Sequence, residues 1–266
     1  MSSTGRGPRM GGPEDFFTTP SWCVRRLLEE WQPPGGLWVE PGAGNGAIIR
    51  AVNEMRSDVD WVAIEIREEE RANLEATGAR VYIDSYIDNA DPGDIVAVIG
   101  NPPFSLATEF IEQTRALAPL APVALLLRTN YLGSENRAPF MRSFTPDLKQ
   151  LPNRPSFFLR LTDSIEYSWF VWPNLTEARG LGQLTVLAPT SIEERQRDMP
   201  QIGKCRACGG RGGVMPDGTF APKKVPGATP CPGCFGFGKV RTGPSEVELG
   251  WITPGASISR QMELAP

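Results

Sequence analysis

Residues 94–111 hold the feature that leaves this chain the fewest folds. Asp94-Ile95-Val96-Ala97-Val98-Ile99-Gly100 is a short, β-branched apolar run and reads as a buried strand. Ser105-Leu106-Ala107-Thr108-Glu109-Phe110-Ile111 reads as an N-capped helix. Between them stand Asn101-Pro102-Pro103-Phe104. The two prolines lock the backbone and remove two N–H donors. Carbonyl oxygens are then the free main-chain polar groups, beside a side-chain amide and an aromatic ring. Such a corner can accept hydrogen bonds from an amino group on a flat ring and stack on that ring. It also falls at the carboxyl end of a strand, where open α/β sheets hold their ligands. A proline-rich turn with no chemical task would look the same in isolation, so the neighbouring units decide.

Those units repeat the strand-then-helix order. Residues 37–49, Leu-Trp-Val-Glu-Pro-Gly-Ala-Gly-Asn-Gly-Ala-Ile-Ile, make a strand, a tight glycine turn and a helix. Ile48, Val52 and Met55 continue one helical face. Glycines let the backbone approach a ligand, and a helix N-terminus offers it N–H groups. Residues 42–47 also fit the G-x-G-x-x-A dinucleotide pattern, so the loop alone leaves the ligand open. Trp61-Val62-Ala63-Ile64-Glu65-Ile66 is the next strand, with Glu65 19 residues after Gly46. An acidic side chain at that interval accepts bonds from ribose hydroxyls. The cluster Glu68-Glu69-Glu70 reads as a solvated helix face. Arg80-Val81-Tyr82-Ile83, followed by Asp84, is a third strand, and 122–128 a fifth. The expected fold class is α/β, a mostly parallel, doubly wound sheet.

Before the glycine turn, Thr19 is a good N-cap and Pro20 a good first helical residue. Cys23, Val24, Leu27, Leu28 and Trp31 then share one apolar face. With 266 residues, 40% of them hydrophobic, the chain can bury a large domain and carry a small appendage. Residues 1–13 are rich in Gly, Ser and Pro, are not a signal peptide and read as disordered. No apolar run is long enough to span a membrane, so a cytoplasmic protein is expected. There are no histidines, which excludes imidazole acid–base chemistry and His-ligated metals. Residues 1–194 hold 17 basic and 26 acidic side chains, and 195–266 hold 10 and 5. A basic end on an acidic domain suits a polyanion held from one side.

Four of the five cysteines form two Cys-x-x-Cys pairs, Cys205/Cys208 and Cys231/Cys234, with 22 residues between Cys208 and Cys231. Two such knuckles make a tetrahedral thiolate site for Zn²⁺, the expected use of paired cysteines in a reducing compartment. A metal-free redox pair is the alternative. Lys204, Arg206, Arg211, Lys223, Lys224, Lys239 and Arg241 surround them, against Asp217 alone, which suits contact with phosphate. Each pair continues as Cys-x-x-Cys-x-Gly-x-Gly and resembles the zinc-binding repeat of DnaJ-type chaperones. DnaJ proteins carry more repeats, so chaperone function is not implied.

Taken together, the motifs resemble those of the amino-methyltransferases that use S-adenosylmethionine (SAM), most often on N6 of adenine. Asn101-Pro102-Pro103-Phe104 is similar to their motif IV, the catalytic tetrapeptide. Glu40-Pro41-Gly42-Ala43-Gly44-Asn45-Gly46 resembles motif I, Glu65 motif II and Asp84 motif III, with Ser85 and Asp88 as neighbouring candidates for the last. Asp15-Phe16-Phe17-Thr18-Thr19-Pro20 resembles motif X. Arg154-Pro155-Ser156-Phe157 before Tyr167-Ser168-Trp169-Phe170-Val171-Trp172 resembles motif VIII of phage-type adenine methylases. The resemblance implies a Rossmann-like class I methyltransferase domain over 14–190, a zinc segment for target recognition over 203–242 and a tail over 243–266. It implies SAM bound by Phe17, Thr19, Pro20, Glu40, Gly42, Gly44, Glu65, Asp84 and Asn101. Phe157, or else Phe158, would face the target base. The motif order resembles the gamma-ordered enzymes, so the expected partner is DNA in a bacterial or phage-infected cell. RNA, a protein glutamine, and a non-catalytic zinc-bearing nucleic-acid binder are the alternatives.

Overall fold

The computed structural model describes residues 18–88, 93–155, 157 and 165–197, together with the backbone of 202–204, 212–214, 220–222, 229–230 and 239–241. Within these residues one sheet holds β1 (Gly36–Pro41), β2 (Val59–Glu65), β3 (Arg80–Ile83), β4 (Ala97–Gly100), β5 (Val123–Arg128), β6 (Asp147–Gln150), β7 (Tyr167–Trp172) and β8 (Leu184–Val186). The spatial order is β3-β2-β1-β4-β5-β7-β6-β8. Strands β1 to β5 are mutually parallel. β7 is antiparallel to both β5 and β6, and β8 is parallel to β6. Only β7 therefore runs against the rest, so the sheet is mostly parallel, doubly wound and Rossmann-like. The helices are α1 (Ser21–Glu30), α2 (Ala47–Asn53), α3 (Arg71–Glu75), α4 (Ala107–Leu117), α5 (Ala138–Ser143) and α6 (Ile192–Arg197).

The continuous apolar strands follow from a sheet covered on both faces. Side chains alternate across a strand, so each strand feeds two cores. On one face Trp38, Ala97, Ile99, Ala124, Leu126 and Trp169 meet Trp22, Leu27 and Leu28 of α1 and Ile48, Ile49 and Val52 of α2. On the other, Val39, Val98, Leu125, Leu127, Phe170 and Trp172 meet Phe110 and Ile111 of α4 and Met141 of α5. Two buried indoles are satisfied by backbone acceptors: Trp169 Nε1 donates to the Cys23 carbonyl at 3.0 Å and Trp172 Nε1 to the Phe144 carbonyl at 2.8 Å.

Several local expectations are corrected. Helix α1 begins at Ser21, with Pro20 in the N-cap position and no side-chain cap. The Thr19 hydroxyl serves a longer-range partner instead. Residues 104–106 form a 3₁₀ turn, so α4 starts only at Ala107 and has no side-chain cap. Met55 lies past the end of α2 and is 44% exposed. Glu70 is buried and accepts a hydrogen bond from Asn73 Nδ2 at 2.8 Å, so the acidic cluster is not uniformly solvated.

Beyond 200, β9 (Ile202–Lys204), β10 (Gly212–Val214), β11 (Phe220–Pro222), β12 (Thr229–Pro230) and β13 (Lys239–Arg241) form two small antiparallel sheets, β11-β10-β12 and β13-β9. No helix among the described residues is long and apolar enough to cross a membrane.

Candidate active site

Strand β1 has β2 on one side and β4 on the other, so the direction of winding reverses between β1 and β4. The crevice at their carboxyl ends is where a doubly wound sheet takes its ligand. The turn after β1 lies there. Gly42, Gly44 and Gly46 hold φ angles of 65°, 55° and 77°, left-handed values that suit glycine. The turn is pinned to the end of β2: Ala43 N–H donates to the Ile64 carbonyl at 3.0 Å, and Gly44 N–H to Glu65 Oε2 at 2.7 Å. Glu65 Oε1 accepts from the N–H and Nε of Arg67, at 3.1 and 2.9 Å.

Glu40 sits beneath this turn, 2% exposed. Its Oε2 accepts the Ile49 N–H at 3.3 Å, in the first turn of α2. Burial pushes its carboxyl well above the ordinary carboxylate value. The Ile49 N–H and the Arg50 charge offset part of that rise, and Glu65 adds to it.

The Asn101 corner closes the opposite wall. Asn101 Nδ2 donates to Thr19 Oγ1 at 3.0 Å, and Asn45 Nδ2 to Thr18 Oγ1 at 3.4 Å. The short segment before α1 thus laces the glycine turn to the proline corner. Between them is a cavity of about 310 Å³, lined by Thr18, Thr19, Glu40, Gly42, Gly44, Glu65, Asp84, Asn101 and Pro103, among others. Ser85 and Asp88 reach it as well, so the choice among the three residues after β3 stays open. Asp84 Oδ1 caps the Ser85 N–H at 2.7 Å. Tyr86 and Phe110 complete the wall. Burial pushes the Tyr86 phenol up to about 12.

Pro102 is buried, and neither it nor Phe104 is in the cavity wall. Phe104 turns to an aromatic group on the other side of the corner. Its ring centroid is 5.6 Å from that of Tyr167, and Phe157 packs edge-on against the same Tyr167 at 5.0 Å. Phe157 is buried in the α1–α2 face of the core. Phe17, Phe158, Cys205, Cys208, Cys231 and Cys234 lie outside the described residues.

Sequence reasoning gave no individual role to Tyr86, Arg128, Thr18 or Tyr167, although Thr18 stands in the motif X stretch and Tyr167 opens the motif VIII strand. The Arg128 guanidinium lies 4.9 Å from the Phe104 ring centroid. The one signal for it was an arginine closing an apolar strand at its carboxyl end. Nothing local marked Tyr86, and the partners of Thr18 and Tyr167, Asn45 and Phe104, come from distant segments.

No family model and no curated protein matches the chain. Solved structures of similar fold include a class I S-adenosylmethionine-dependent methyltransferase, so described as a candidate, from Listeria monocytogenes, with 13% identity, 63% of this chain covered and a TM-score of 0.47. The chain spans 62% of the length of that protein. The 23S rRNA methyltransferase ErmE shares 12% identity over 61% of this chain and 71% of its own, with a TM-score of 0.48. A predicted O-methyltransferase from Agrobacterium tumefaciens shares 18% over 64% and 86%, with a TM-score of 0.46.

Proposed function

We propose that this chain is a SAM-dependent methyltransferase that modifies N6 of adenine in DNA. One observation carries the reading: Asn101 and Pro103 share a cavity with Gly42, Gly44, Glu65 and Asp84. A corner facing away from the glycine turn would have been incompatible with methyl transfer between the two.

The cavity fits the cofactor in size and donor set. Its volume is at the lower end for small-molecule sites, roughly 300–1,000 Å³, and Glu40, Glu65, Asp84 and Asp88 place acidic side chains at four points around it. Glu65 would hold the ribose and Asp84 the adenine amino group, while buried Glu40 would oppose a sulfonium or ammonium charge. When bound, SAM supplies an electrophilic methyl group on sulfur.

The chain's own work is positioning. The target adenine leaves its stack to reach the corner. The Asn101 amide donates to Thr19 through Nδ2, which leaves Oδ1 as the acceptor end. That oxygen and the Pro102 carbonyl accept the two N6 hydrogens and turn the nitrogen lone pair toward the methyl group. Phe104 holds the ring, backed by the tilted ring of Tyr167 and, edge-on to that, Phe157. Catalysis by orientation and fixed dipoles needs no titrating base, in keeping with a chain without histidine.

We further propose that Cys205, Cys208, Cys231 and Cys234 would hold a structural Zn²⁺. Four thiolates are the donor set of a structural zinc site. In sequence, Cys205 and Cys208 fall between β9 and β10, and Cys231 and Cys234 between β12 and β13; β9 pairs with β13 and β10 with β12.

The test is incubation with SAM of plasmid DNA, total RNA and a protein extract, followed by mass spectrometry of nucleosides and peptides. N6-methyladenine in DNA is the expected product. Methyl transfer only to RNA or to glutamine, or to none of the three, overturns the reading.

A further inference from the structure

Arg128 is a cation with no hydrogen-bond or ion-pair partner among the described residues. It ends β5, at the same edge of the sheet as Asn101. Its Nε is buried and meets no acceptor, and its guanidinium lies against the Phe104 ring. A buried guanidinium N–H without an acceptor is destabilising, so an acceptor brought to Arg128 would be stabilising. The carboxylate of Glu166, next to Tyr167 on the neighbouring strand, pairs with Arg154 instead, its Oε1 accepting Nη2 at 2.5 Å and Nε at 3.2 Å.

The mounting is rigid. Arg128 stands opposite Tyr167 across the β5–β7 pair. The next residue, Thr129, donates its backbone N–H to the Glu166 carbonyl at 3.0 Å. Its hydroxyl is 2.8 Å from Ser168 Oγ, and Ser168 Oγ donates to Gln150 Oε1 at 2.9 Å. The fork is therefore carried on three strands that are bonded to one another at this edge. With one face against Phe104, a guanidinium still presents its N–H edge, which matches two oxygens of one oxyanion.

The geometry points to Arg128 as a phosphate-binding residue for the target strand, seated beside the corner that receives the base. This rests on the nucleic-acid reading above. A nucleotide carries its phosphate on the same sugar as its base, so a base held at Phe104 brings an anion to the rim of the site. A glutamine side chain brings none. The assignment thus names a polynucleotide as the substrate class and gives the site an anchor independent of base identity.

The test pairs a protein change with a substrate change. Oligonucleotides containing the sequence methylated in plasmid carry a single neutral methylphosphonate at each phosphate flanking the target adenosine in turn. Binding is measured for wild type, Arg128→Met and Arg128→Lys, with SAM affinity by calorimetry and melting temperature as controls on the fold. At one position the neutral linkage weakens wild type roughly tenfold and leaves Arg128→Met unchanged. Arg128→Met also flattens the dependence of log binding constant on log salt by about 0.7–0.9. Arg128→Lys, which keeps the charge and loses the fork, retains the salt slope and serves alone if the methionine variant does not fold; in it the neutral linkage costs less than in wild type. Equal losses in all three proteins at every phosphate, with an unchanged salt slope, overturn the assignment while leaving the methyltransferase reading intact. Failure of wild type to methylate any nucleic acid overturns that reading, and the assignment with it.

Discussion

Asn101 joins the two halves of the proposed chemistry, because its amide is held at one end by Thr19 Oγ1 and lines the cavity. Asn101→Ala removes an acceptor needed for the amino group and leaves the glycine turn untouched. Methyl transfer should fall by at least about two orders of magnitude, comparable to loss of one oriented dipole, while SAM affinity by calorimetry stays near wild type. Near-normal turnover would remove Asn101 from the mechanism. Glu40 gives a prediction in pH. Its folded-state pKa is raised, chiefly by burial. Between the ordinary carboxylate value, 4.5, and that raised value, the folded chain keeps a proton that the unfolded chain has lost. Stability from this group is therefore complete below pH 4.5 and is lost as pH rises through the folded value. Glu40→Gln removes the titration. Its melting temperature relative to wild type should climb as pH rises from 4 to 8, both without SAM. A gap independent of pH contradicts the assignment.

At the scale of elements, the turn between β1 and α2 governs how closely backbone can approach a ligand. A Cβ on Gly46 would stand 3.0 Å from Thr77 Cγ2 and 3.2 Å from Leu74 Cδ2, at a φ of +77°. Gly46→Ala should cost about 1–2 kcal/mol from the left-handed backbone alone, read as a shift in urea midpoint at constant slope. An unchanged midpoint would mean that the turn relaxes freely. Much of this level was legible beforehand. Apolar runs bounded by glycine and proline marked β1, β2, β4 and β5, and Thr19, Glu40, Gly42, Gly44, Glu65, Asp84 and Asn101 all reach one cavity. What failed was capping. Thr19 has the chemistry of an N-cap, yet its hydroxyl accepts from Asn101, 82 residues away, and a local rule cannot see such a competitor. β6, Asp-Leu-Lys-Gln, was also missed. It is half-buried throughout and carries no periodicity that separates it from a loop.

For the whole molecule, an acidic domain is joined to a basic cysteine-bearing segment. Glu194 of α6 accepts Arg25 Nε at 3.1 Å and also pairs with Arg26, so the chain leading to that segment is fastened to α1. If the cysteines hold zinc, the purified protein should contain one Zn²⁺ per chain by plasma mass spectrometry. Cys231→Ser should lose it and weaken DNA binding, while SAM affinity is retained. Full zinc content in that variant would rule out the four-thiolate site.

Residue order alone determined the strand–turn–helix units, the left-handed glycines after β1 and the donor-poor corner after β4, because steric limits on the backbone and burial of apolar runs act over a few neighbouring residues. Tertiary structure decided that β7 runs backwards between β5 and β6, that Thr19 answers Asn101, and that Arg128 faces Phe104. Each of these joins segments far apart in the chain, and which distant groups meet is settled only when both faces of the sheet are packed.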